Sequence, residues 1–126
     1  MFEFLGAFVT SCYYAVQGIL FAGVSQRNFR IHLVAGVLVL AAGWWLNFSR
    51  LEMVVLILTV SMVISGELLN TALELVLNLL EARDHPVARA AKDVAAGAVF
   101  IAVIGSVGVA VFLFGPKLAA LARHLR

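Results

Sequence analysis

The sequence predicts an all-α integral membrane protein, with one N-terminal helix lying in the membrane interface and three transmembrane helices after it. Three observations predict this. Hydrophobic residues make up 63% of the 126 and charged residues 13%, with a mean hydropathy of +1.06, far more apolar than a soluble domain of this length. Uncharged runs cover 33–49, 53–66 and 94–115, the second continuing with little charge to 80. Each is near or above the ~20 residues that cross a bilayer as helix. The charged residues gather in the short connections between those runs, which reads as one compact helical domain over 1–126. A net charge of +2 distributed this way offers no basic face for nucleic acid. The single cysteine, Cys12, excludes an intrachain disulfide and a cysteine metal cluster, and reads as a small apolar filler.

Residues 4–26 carry no charge, yet Thr10, Ser11, Tyr14, Gln17, Gly18 and Ser25 recur at roughly helical spacing opposite Leu5, Phe8, Val9, Cys12, Val16, Ile19 and Leu20. That pattern describes an interfacial helix, with a fourth spanning helix as the competing reading. Glu3, the lack of an early basic residue and the lack of a clean small-residue cleavage site argue for a retained N-terminus rather than a signal peptide. Arg27, Arg30 and His32 mark a membrane boundary before the first clear span. In "SRLE", Ser49 and Glu52 form a capping-box pattern that starts the second span at once, so the hairpin turn is tight.

That second helix is expected from Arg50 to about Leu80, roughly 45 Å at 1.5 Å per residue, longer than the ~30 Å hydrocarbon layer. Its far end must protrude, with Glu67 about 27 Å from Ser49 and Glu74 about 10 Å further on. Asp84, His85 and Pro86 close it and open the next helix, since Asp84 or His85 can cap and proline suits a first turn. Trp44, Trp45, Phe48, Phe112 and Phe114 fall at the opposite interface, where aromatic rings settle. Arg27, Arg30, Arg83, Arg89 and Lys92 lie on the Glu74 side and Arg50, Lys117, Arg123 and Arg126 on the other, a balance that barely orients the chain.

The chemistry concentrates in "GELLNTALELVLNLL". At 100° per residue, Glu67, Asn70, Thr71, Glu74 and Asn78 occupy a band of about 100° on one helix face. Ionisable groups at membrane depth cost on the order of 3 kcal/mol each and usually face a bundle interior or a wet cavity. Asn70 and Thr71 could serve as interhelical glue, but two glutamates seven apart favour function. On the next helix Arg89, Lys92 and Asp93 share a face, while Ala91, Ala95 and Gly97 are expected to let another backbone approach. Lys92 and Asp93 could simply pair with the glutamates. The set also supplies a carboxylate to accept a hydroxyl proton, a second to hold a divalent cation and a lysine to balance phosphate, which are the parts of phosphoryl transfer. Neither familiar glycine-rich phosphate loop occurs, and His32, His85 and His124 are too scattered for a zinc site.

These residues resemble the prokaryotic diacylglycerol kinase and undecaprenol kinase family of small integral-membrane lipid kinases. The resemblance runs through "YYAVQG", "QRNFRIHL", "GELLNTALE", "HPVARAAKDVAAGAV" and "FGPKL", and its His-Pro pair is similar to the undecaprenol kinase branch. It implies a homotrimer in the bacterial inner membrane, with an interfacial first helix and active sites shared between subunits at the cytoplasmic face. It implies that Glu67 is the catalytic base acting on the lipid alcohol and that Glu74 binds both Mg²⁺ and nucleotide. Asn70 would support the phosphates, Lys92 and Asp93 would contact ATP, and Tyr14 and His85 would line its site. Gln26 stands where many members carry a metal-binding glutamate, and Asn78 where many carry aspartate; both changes remove charge, and Arg83 and Asp84 also depart from the usual pattern. The resemblance thus favours an ATP- and Mg²⁺-dependent kinase of a membrane lipid alcohol, undecaprenol before diacylglycerol. A non-catalytic, trimeric lipid-binding relative is the rival that Gln26 and Asn78 motivate.

Overall fold

A computed structural model describes residues 2–80 and 85–124, which form α1 (Phe2–Ser25), α2 (Arg27–Trp45), α3 (Arg50–Leu79) and α4 (Pro86–His124). All four are long and apolar enough to cross a membrane. The connection 81–84, with Arg83 and Asp84, lies outside the described residues.

The α2–α3 hairpin is built by its local chemistry. Asn47 adopts φ 52°, the left-handed conformation that ends helices. Its N–H donates to the Trp44 carbonyl at 3.1 Å and the Phe48 N–H to the Gly43 carbonyl at 3.0 Å, which satisfies the last turn of α2. Two residues later Ser49 Oγ accepts from the Glu52 N–H at 3.3 Å while Glu52 Oε2 accepts from the Ser49 N–H at 2.6 Å. The capping box read from "SRLE" is therefore present, and the turn is as tight as expected.

From this turn α3 runs 30 residues, about 45 Å, as its length required. Its buried residues are Leu56, Val63, Glu67 and Thr71, and it packs chiefly on α4 and then on α2. Within lipid, close approach rather than water exclusion holds helices together, and glycines decide where that occurs. A Cβ on Gly36 would stand 2.6 Å from Val60 Cγ1, and one on Gly43 would stand 3.0 Å from Leu56 Cδ2. On α4 the buried positions are Ala88, Val99 and Ala102. Ala91 and Ala95, both half-buried, share that face as expected, whereas Gly97 lies on the opposite side of α4 and faces open space.

α4 also extends beyond the uncharged run that announced it, continuing through Pro116 to His124. The turn after Pro116 is held by Lys117, whose Nζ donates to the Asn47 carbonyl at 3.4 Å, lies 3.9 Å from Glu52 Oε2 and sits over the Phe48 ring. Phe48 and Phe114 meet with ring centroids 4.8 Å apart, so the aromatic residues do gather at the hairpin end.

α1 packs least. Every described side chain from 4 to 21 is exposed, and Ala22 is the first buried one. Its polar face is partly silenced, because Thr10, Ser11 and Ser25 donate to the carbonyls of Gly6, Ala7 and Phe21 in their own helix. Arg30 of α2 reaches back to the Gly23 and Val24 carbonyls at 3.3 and 2.8 Å. It thereby satisfies the exposed C-terminus of α1 and complements its dipole.

Candidate active site

The polar stripe of α3 divides between two recesses. Glu67 and Asn70 line a cavity of about 260 Å³ with Asn28 and His32 of α2 and Ala96, Val99, Phe100 and Val103 of α4. Glu67 is 4% exposed, so α3 carries a carboxylate into the packed interior rather than to lipid. Glu74 and Asn78 instead line a cleft of about 330 Å³ with Ala88, Arg89 and Lys92. There Lys92 Nζ donates to Glu74 Oε1 at 2.7 Å, a pair that is partly exposed. The two recesses adjoin along one helix face and share no lining residue.

Thr71 is buried on the same stripe, but its Oγ1 donates to the Glu67 carbonyl at 2.8 Å inside α3. The interhelical hydrogen bond allowed for it from sequence is therefore not made. Tyr14 lines a third, apolar groove between α1 and α3, with Thr71, Ala72 and Leu75 on its far wall. Gln26 caps the start of α2 without a side-chain hydrogen bond. His85 accepts from the Val87 N–H at 3.2 Å and so opens α4, the capping role expected of it. Asp93 is exposed, and Gln26, His85 and Asp93 line neither the cavity, the cleft nor the groove. Within one protomer the described structure therefore joins Glu67 to Asn70, and Glu74 to Lys92, and leaves the other four candidates apart.

One participant was missed. His32 Nε2 lies 3.2 Å from Glu67 Oε1, whereas sequence reasoning had set His32 among boundary residues. The signal was present in the hairpin: Ser49 and Arg50 mark its centre, and His32 and Glu67 stand equally far from it on either side.

The pattern that defines the family "Prokaryotic diacylglycerol kinase" matches residues 13–114, which contain all of the residues just described. The chain belongs to that family. Undecaprenol kinase of Bacillus subtilis is 38% identical over 114 residues, covering 90% of this chain and 93% of that protein. Diacylglycerol kinase of Synechocystis sp. is 45% identical over 109 residues, 86% of this chain and 62% of that longer protein. Diacylglycerol kinase of Escherichia coli K12 is 33% identical over 94 residues, 75% of this chain and 77% of that protein. As a family member the chain is a membrane lipid kinase, and its α3–α4 polar face carries carboxylate and cationic side chains of the kind phosphoryl transfer uses.

Among the described residues no group of three His, Cys, Asp or Glu side chains could hold a metal ion. Mg²⁺ is commonly held by one or two carboxylates together with substrate phosphates and water. A single carboxylate in a cleft that also carries Arg89 and Lys92 for phosphate, which is what Glu74 offers, fits that mode of binding.

Proposed function

We propose that the kinase transfers the γ-phosphate of ATP to the hydroxyl of a membrane-dissolved lipid alcohol, undecaprenol before diacylglycerol, at the cytoplasmic face of the bacterial inner membrane. The observation that carries this reading is the buried carboxylate of Glu67, near the end of a membrane-spanning stretch and open to a small cavity, beside a cationic cleft. Glu67 takes the hydroxyl proton, the alcohol oxygen forms a bond to the γ-phosphorus, and the bond to the ADP oxygen breaks. Asn70, in the same cavity, orients the transferring phosphate. Lys92, with Arg89 on the same cleft wall, balances phosphate charge. Asp93, Tyr14 and His85 complete the nucleotide site. Mg²⁺ bound by Glu74, with Gln26 as a weak neutral ligand, would offset charge on the phosphates.

A homotrimer supports this chemistry better than one protomer. The Glu67 cavity and the Glu74 cleft share no lining residue, and Tyr14, Gln26, His85 and Asp93 line neither, so a neighbouring subunit is needed to close one site around two substrates. The exposed length of α1 supports its placement as an interfacial helix covering such a joint. Undecaprenol is preferred because the Bacillus subtilis undecaprenol kinase matches along 93% of its length. The test is purified protein in detergent with γ-labelled ATP, offered undecaprenol and diacylglycerol in parallel. Faster labelling of undecaprenol supports the reading, faster labelling of diacylglycerol reverses the preference, and labelling of neither lipid removes it.

A further inference from the structure

α2 buries Phe29, Gly36 and Gly43, and the two glycines meet α3 at Val60 and Leu56. His32 falls three residues after Phe29 and four before Gly36, which puts it on that same packing face. It is the polar member of an otherwise apolar and small-residue stripe. Opposite it on α3 stands Glu67, whose side chain is 5% exposed against 24% for His32. A carboxylate so enclosed is costly unless a donor faces it. Lys92 is committed to Glu74, and Arg30 is turned back onto the α1 carbonyls. The ring of His32, with Nε2 at 3.2 Å from Oε1, is the titratable group set against Glu67.

A glutamate used as a base needs one oxygen presented to its substrate, yet its terminal torsion is broad and has no strong preference of its own. The contact from His32 to Oε1 restrains that rotation, and the same glutamate lines the cavity. The close packing of Gly36 on Val60, one turn from His32, sets the α2–α3 separation at which this contact is made. We propose that His32 is a positioning residue for Glu67, holding one carboxylate oxygen from α2 so that the other is aimed at the lipid hydroxyl. The proposal rests on the reading of Glu67 as the base.

The test compares His32→Gln, whose amide nitrogen reaches about as far as Nε2, with His32→Asn, whose shorter amide does not. Both are polar, so burial alone does not separate them. Each is purified as the full chain in detergent, and kcat and KM are measured for ATP and lipid beside Glu67→Gln and the double variant His32→Asn/Glu67→Gln. The expected result is a fall in kcat of about tenfold or more in His32→Asn with both KM values within about twofold. His32→Gln should remain within about threefold of wild type, and His32→Asn should cost nothing further once Glu67 is Gln. Equal kcat for the Asn and Gln variants, an effect carried by KM, or a full additional loss in the double variant overturns the proposal while leaving Glu67 as base. Wild-type turnover in Glu67→Gln overturns both the base and its positioning residue.

Discussion

Lys92 Nζ lies 2.7 Å from Glu74 Oε1, so α4 brings its cation directly onto the carboxylate of α3 that borders the cleft. The pair is partly exposed, 55% for the lysine side chain and 29% for the glutamate, and such pairs contribute about 1 kcal/mol or less to stability. Lys92→Met is therefore expected to leave the thermal unfolding midpoint in detergent within about 5 °C. It should lower kcat/KM for ATP by about tenfold or more. An unchanged kcat/KM would reduce Lys92 to a structural partner of Glu74.

The α2–α3 contact predicts a coupled pair of substitutions. Gly36→Ala places a methyl group against Val60 and should destabilise the protein by about 1–3 kcal/mol. Adding Val60→Ala removes the obstructing methyl groups and should recover much of that loss. Additive destabilisation, measured by thermal unfolding, would mean the two residues do not meet.

If the kinase is the homotrimer proposed above, with sites shared between subunits, inactive chains should complement one another. Trimers assembled from a mixture of Glu67→Gln and Lys92→Ala chains should regain part of the wild-type rate, because some sites would then draw each intact residue from a different subunit. Demonstrably mixed trimers without recovered activity would show that each site is built within one chain.

Gln26→Glu should lower the Mg²⁺ concentration for half-maximal rate by about tenfold, or roughly 1.4 kcal/mol, because Mg²⁺ prefers an anionic oxygen to a neutral amide. Titration of Mg²⁺ at saturating ATP reads this directly. An unchanged midpoint would remove Gln26 from the metal site.

Much of this architecture was legible because it is local. The Ser49 and Glu52 cap, the length of α3 and the stripe from Glu67 to Asn78 depend on near neighbours and on helical periodicity alone. Partners across helices were harder. Helical periodicity shows that Lys92 and His32 each lie on a packing face, but it does not say which carboxylate each meets. His32 was recoverable only by counting outward from the hairpin, which needs the turn to be placed first. On α4 the expectation of close approach at Ala91, Ala95 and Gly97 fits the first two, which share the stripe of Ala88, Val99 and Ala102, but not Gly97 on the opposite side. Past Pro116, α4 brings Lys117 onto Asn47, 70 residues away in sequence, and near Glu52, contacts that periodicity does not report.

The proposed transfer requires that the buried carboxylate of α3 take the hydroxyl proton. Glu67→Gln keeps the size and hydrogen-bonding reach of the side chain and removes its capacity to act as a base. Transfer of γ-labelled phosphate from ATP to the preferred lipid, measured for wild type and Glu67→Gln at equal amounts of intact, monodisperse protein, tests this directly. Turnover is expected to fall roughly 10²-fold or more while assembly is unchanged. Turnover close to wild type in Glu67→Gln would contradict the account.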